Sequence, residues 1–243
     1  MKRFTTALSI ILLVAVAAQA DIYIKSKVHS DPVSFMGQNQ PATDTISEQW
    51  IGDDIFATIS EGTSSVIDLK KNVMLMINHK DKSYVETTIP LDLSKIMPAE
   101  MAGMAQAMMK MTVTVAPSGQ TKTIGSWTCT GYDVALNMMM MPMKIQVWAT
   151  ADVPFDLSRY MEKVQGNVLK AQFRLDDAAV KEMLKIKGLW ILTETSAEMM
   201  GAKIHTTSEV IEVGKKTPPA SVYAVPAGYK KLDRFTLQQM QQR

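Results

Sequence analysis

Cysteine is nearly absent: Cys129 is the only one in 243 residues. No intrachain disulfide can form, so stability has to come from packing. A lone thiol in this setting reads as a small buried hydrophobe. Histidine is scarce as well. His29, His79 and His205 are the only three, and their spacing matches neither a metal motif nor general-base machinery. No G-x-S-x-G, H-E-x-x-H, C-x-x-C, P-loop or Rossmann glycine pattern occurs. The acid pairs Asp53-Asp54 and Asp176-Asp177 read as a turn and a helix start. An enzyme is therefore the least favoured class, and no catalytic residue, cofactor or metal site is assigned.

An excess of either charge is also missing. The 26 basic residues include Lys2 and Arg3, and the remainder balances the 24 acidic ones. No nucleic-acid partner is implied. Long apolar runs are lacking too. Residues 7–18 are apolar, too short to cross about 30 Å of hydrocarbon comfortably, and no later segment reaches about 18 unbroken apolar residues. What the first 20 residues do contain is ordered: a basic start at Lys2-Arg3, that apolar run, and the small-x-small pattern Ala18-Gln19-Ala20 before Asp21. This is the layout of a cleaved secretory signal peptide. The expectation is a 1–20 signal and one periplasmic domain over 21–243, ending in a frayed polar tail, with no transmembrane span after cleavage. Full secretion is the variant of this reading.

The mature chain reads mostly as strands. Ile22, Ile24, Ser26 and Val28 alternate with Tyr23, Lys25, Lys27 and His29. SEQWIGDDIFATI reads as a hairpin turning at Gly52-Asp53-Asp54. Three more strands follow, with turns near Lys70-Lys71-Asn72 and at His79-Lys80-Asp81-Lys82. Further strands are expected at 112–116, 121–126, 127–136, 143–149, 189–196 and 203–213. Helices are expected at 98–111, opened by Pro98, and over 156–184, where Asp176 caps and Gly188 stops. The predicted fold is α+β: a strongly curved antiparallel sheet, an open half-barrel, with helices packed across one side.

Methionine is the abundant residue, with 20 copies in clusters. Met97, Met101, Met104, Met108 and Met111 fall within an arc of roughly 80° on a helix. Such a stripe closes a core or forms a deformable lid over an apolar ligand. Met97, Met101, Met104 and Met108 are the expected ligand-lining residues, joined by Trp127. Trp148 ranks below Trp127, because alternation puts it opposite Ile145, Val147 and Ala149. A second cluster, Met138, Met139, Met140 and Met141 followed by Pro142-Met143, reads as a contact patch for lipid or an envelope protein partner, or as side chains that fill a core or extend a strand. The rival reading of the thioethers is Cu(I) handling, since Met is a soft donor.

Two stretches carry a resemblance. WIGDDIFATI followed by VIDLKKNVMLMINHKDKSYVE, with Ile67-Asp68 and then Lys82-Ser83-Tyr84, is similar to an uncharacterised family of exported bacterial proteins. So is GSWTCTGYDVAL followed by IQVWATADVPFD, where Gly125, Trp127, Cys129, Tyr132 and Trp148 match. Over residues 21–230 the layout also resembles the periplasmic lipoprotein carriers and receptors of the Lol type. That resemblance implies a half-barrel closed by helices over an apolar cavity. The expected function is to bind or carry a hydrophobic molecule, a lipid or a lipidated partner, without catalysis. The alternatives are a methionine-based Cu(I)-handling envelope protein and an envelope scaffold without a small ligand.

Overall fold

A computed structural model describes residues 20–35, 38–89, 92–96, 103, 111–138, 141–161, 166–173, 175–199 and 201–236. Residues 1–19 of the expected signal segment, the C-terminal LQQMQQR stretch and most of the methionine-rich 97–110 stretch lie outside the described residues.

The first strand, β1 (Asp21–Ser30), begins where the sequence places the first mature residue. A small hairpin, β2 (Val33–Phe35) and β3 (Gln38–Gln40), follows it. One run of hairpins then comprises β4 (Thr43–Ile51), β5 (Ile55–Ser60), β6 (Thr63–Asp68), β7 (Val73–Asn78) and β8 (Ser83–Thr88). A second run comprises β9 (Met111–Ile124), β10 (Trp127–Met138), β11 (Met141–Thr150), β12 (Leu189–Met199) and β13 (Ala202–Lys216). The short β14 (Lys230–Leu232) adds parallel to β8. All but the small hairpin form one twelve-stranded sheet, ordered β14-β8-β7-β6-β5-β4-β1-β13-β12-β11-β10-β9. β1 is its seam, antiparallel to β4 on one side and to β13 on the other.

The turns form where the sequence punctuates. Asn72 and Lys82 close their hairpins in the left-handed region, at φ 56° and 50°. Asn tolerates that conformation; for Lys82 the hairpin geometry imposes it. The expected strands 112–116 and 121–126 belong to one strand, β9, with a bulge at residues 118–120 between them, and the β9–β10 turn falls at Gly125-Ser126, where Gly125 has φ 55°.

The α+β expectation is overturned. The chain is mostly β, and the sheet is open, with β14 and β9 as its edges, not closed into a barrel. The described helices are short: α1 (Leu93–Ile96), α2 (Leu157–Arg159), α3 (Gly166–Phe173) and α4 (Asp177–Met183). The physical reason is where the apolar surface goes. Long hairpin strands satisfy their own ladders across most of the sheet, and α3 and α4 cover only one end of it.

At that end Leu169, Ala179, Val180 and Met183 pack on Val113, Val115, Val134 and Val147. The Asp176 side chain caps α4 by accepting from the Ala179 N–H at 2.7 Å. Glu182 accepts from the Val115 N–H at 3.2 Å, so a carboxylate occupies part of the β9 edge. Lys185 and that N–H hold Glu182 below the usual carboxylate range. At the other end the irregular segment after β13 lays Val222, Tyr223, Val225 and Tyr229 against Tyr23, Trp50, Val66 and Ile77.

Gly188 joins α4 to β12 at φ 124°, and an added Cβ would lie 2.4 Å from the Thr150 carbonyl oxygen. Backbone cannot move aside cheaply there. Gly188→Ala is expected to cost about 3 kcal/mol, read as a lower urea midpoint with an unchanged slope. An unchanged midpoint would show that the β11–β12 connection tolerates the side chain.

Candidate functional site

Residues paired across an antiparallel ladder point to the same face of the sheet. The ladders Tyr132↔Val147, Val147↔Thr193, Thr193↔Ser208, Ser26↔Val210 and Ile24↔Gln49 therefore identify the face under α3 and α4. Two bulges shape this face. Trp148 pairs with Leu192 but Ala149 pairs with Trp190, leaving Ile191 as an extra residue in β12. Lys25 pairs with Glu212 but Ser26 pairs with Val210, leaving Ile211 as an extra residue in β13. A bulge re-aims the side chains beyond it. Here it turns Trp190 to the same side as Thr193, and Val210 to the same side as Ile24.

A cavity of about 260 Å³ results, at the seam between the two runs of hairpins. Its floor includes Ile24, Phe56 and Val210 from the sheet, and its roof includes Val168 and Leu169 of α3. Trp190 and Tyr160 form walls, and Ser26, Thr193 and Ser208 add hydroxyls. A second cavity, of about 620 Å³, shares Ile51 and Tyr160 with the first. Its other walls mix apolar side chains such as Ile22, Ile55 and Phe155 with the charged Asp21, Asp53, Asp54, Asp68, Lys70 and Lys215. Asp54 and Lys70 are 3.0 Å apart, and this contact raises the Lys70 pKa. Burial works against the Asp68 carboxylate, but Lys71 outweighs it and holds Asp68 below the usual range. Tyr223 donates to Asp21. Tyr160 stacks at a tilt against Phe155, ring centroids 5.6 Å apart, and burial pushes its phenol up to about 12.

The expected lining residues fare as follows. Met97, Met101, Met104 and Met108 lie outside the described residues. Trp127 is partly buried, and it does not line the 260 Å³ cavity. It alternates with Cys129 and Gly131 on β10, and Gly131 pairs with Trp148. Trp127 and Trp148 thus share the face opposite Val147; both pack in the hydrophobic cluster that includes Ile24, Phe56, Leu189 and Val210, and Lys122 sits 5.3 Å from the Trp148 ring centroid. Met138 and Met141 pair as the last rung of the β10–β11 hairpin, and Met139 and Met140 between them lie outside the described residues. The sequence missed Trp190, because a two-residue alternation cannot show a bulge that is set by the neighbouring strand.

Two histidines at opposite ends of the chain do meet. His29 Nε2 and His205 Nδ1 lie 3.2 and 3.1 Å from the two oxygens of Asp31, and Asp44 contacts His29 Nδ1 at 3.0 Å. They meet because β1 and β13 are paired. Among the described residues no group of three or more His, Cys, Asp or Glu side chains is arranged to hold a metal ion. Nor is any helix among them long and apolar enough to cross a membrane.

The family model for a domain of unknown function, DUF4412, matches residues 44–229. The chain belongs to that family. The match runs from the start of β4 to the end of the C-terminal covering segment, so it takes in both cavity-bearing halves of the sheet. No curated protein matches. A solved structure of PNGF-II is similar at 15% identity and a TM-score of 0.41, over 92% of this chain and 32% of that one. The chain therefore spans about a third of that protein's length.

Cys129 is fully buried, and burial raises its thiol pKa. A protonated, enclosed thiol is not a nucleophile. Folded protein at pH 8 is expected to resist an aromatic disulfide reagent and to release one equivalent only after unfolding. Reaction of the folded protein at the unfolded rate would contradict this placement.

Proposed function

We propose that this chain is an exported, non-enzymatic carrier that binds a hydrophobic molecule, a lipid or a lipidated partner, in the periplasm. The observation that supports it is the cavity between α3 and the seam of the sheet. Ile24, Phe56, Leu169, Leu189 and Val210 present apolar surface there without filling the space between helix and strands. Concave apolar spaces with a few hydroxyls are the usual form of a small-molecule site. Contact with an apolar guest removes that surface from water, at about 25 cal/mol for each Å².

The likeness to Lol-type carriers belongs to this reading, as does the secretory leader. The methionines of 97–108 and 138–141 supply it with adaptable apolar surface for a guest or for an envelope partner. Their role is carried by the sequence pattern.

Filling the cavity tests the proposal. Val168→Trp grows the roof inward, and Val210→Phe raises the floor. The native mature chain is expected to enhance the fluorescence of an apolar naphthylamine dye saturably, with a lipid competing. Each filled variant is expected to weaken that binding about tenfold while unfolding within a few degrees of the native protein. Absence of saturable binding by the native chain, or full affinity in both filled variants, would remove the reading.

A further inference from the structure

The floor of the 260 Å³ cavity changes character along its strands. Ile51 and Phe56 pair across β4 and β5 and make one apolar rung. Two residues along, Gln49 and Thr58 pair with each other, beside Ile24 on β1. The next step carries Ser26 beside Val210, and the next carries Ser208 paired with Thr193. Ladder partners and i, i+2 neighbours share a face, so all of these point to the α3 side.

Five polar side chains therefore meet on one apolar cavity. No side-chain hydrogen bond joins Ser26, Gln49, Thr58, Thr193 or Ser208 to another described residue. Rows of Ser and Thr on the wet face of a strand are ordinary. Ser26 is different: it is only 8% exposed, at the centre of the sheet. A hydroxyl so enclosed is normally paired within the fold. These strands also keep charge off this face. The charged residues of β1 and β4 alternate to the opposite side, where Lys25 lies 3.9 Å from Glu48 and Lys27 lies 3.4 Å from Asp44.

We propose that the cavity takes an uncharged amphiphile, with its hydrocarbon end over Ile51 and Phe56 and a polyol head, glycerol-like or sugar-like, on Ser26, Gln49, Thr193 and Ser208. This rests on the carrier reading and specifies its ligand class. Hydroxyls and the Gln49 carboxamide both donate and accept, as a polyol does. A carboxylate or ammonium head would leave water with no opposite charge on this face of β1 and β4 to meet it, which is costly.

Four ten-carbon probes separate the possibilities by displacing the bound naphthylamine dye from the mature chain, below their micelle concentrations. They are monodecanoylglycerol, methyl decanoate, decanoate and decyltrimethylammonium. The glyceride is expected to bind tightest, about tenfold over the methyl ester, with the two ionic probes weakest. Ser26→Ala with Thr193→Val is expected to narrow the glyceride-to-ester ratio to about twofold. Should that double variant not fold, Ser208→Ala alone is expected to narrow the same ratio. A methyl ester that matches the glyceride, an ionic probe that binds best, a bound dye that no probe displaces, or a ratio unchanged in the folded variants would each overturn this proposal and leave the carrier reading standing. A dye that never binds saturably would remove the carrier reading as well.

Discussion

Everything in this fold hangs on the double pairing of β1. Each run of hairpins is local: β4 to β8 and β9 to β13 fold back on neighbours in sequence. Neither run contacts the other through its own ladder. β1 joins them, with Ile22–Ser30 matched to Thr43–Ile51 on one side and Asp21–Ser30 matched to Thr206–Lys216 on the other. The second pairing closes a loop of nearly the whole chain, which carries a large entropy cost before any contact repays it. Residues 21–30 therefore have to be ordered at the centre of the sheet.

The same seam explains where the cavity lies. β1, β4, β12 and β13 supply much of its floor, and the two bulges sit in the strands beside it. Bulges increase local twist and bend the strand. Bending withdraws the sheet from α3, while α4, capped by Asp176 and tied to Val115 through Glu182, keeps the helices anchored farther along. A gap opens between surfaces that are both apolar. On the opposite face the Val222–Tyr229 segment packs against Tyr23, Trp50, Val66 and Ile77, and Tyr223 ties that segment to Asp21.

The sequence made the local features legible. Alternation and turn residues located the hairpins of the first run, and the helix cap at Asp176 was readable from its residue type. Reading also placed Val147 and Trp148 on opposite faces, and the ladder does so too. What was not legible depended on partners. The break between 112–116 and 121–126 became a bulge inside one long strand: Pro117 pairs with Tyr132 and Thr121 with Thr130, so residues 118–120 face Gly131 alone, with Gly119 at φ 72°. Trp127 was grouped with a helix lid, but its face follows from Gly131↔Trp148, a pairing no single strand reveals. His29 and His205 looked unrelated until β1 met β13. The α+β expectation failed for a similar reason: amphipathic stretches were counted as helical layers, whereas the described ones are brief covers on a large β structure.

The central claim is that the space under α3 is occupied in the protein's own envelope. Native mass spectrometry of the exported chain, purified without detergent, addresses it most directly. The account predicts a population carrying one noncovalent adduct of lipid-like mass that dissociates on activation and is missing from the Val168→Trp variant. A bare mature polypeptide under conditions that preserve a control lipid carrier, or an adduct equally abundant in the filled variant, would contradict it.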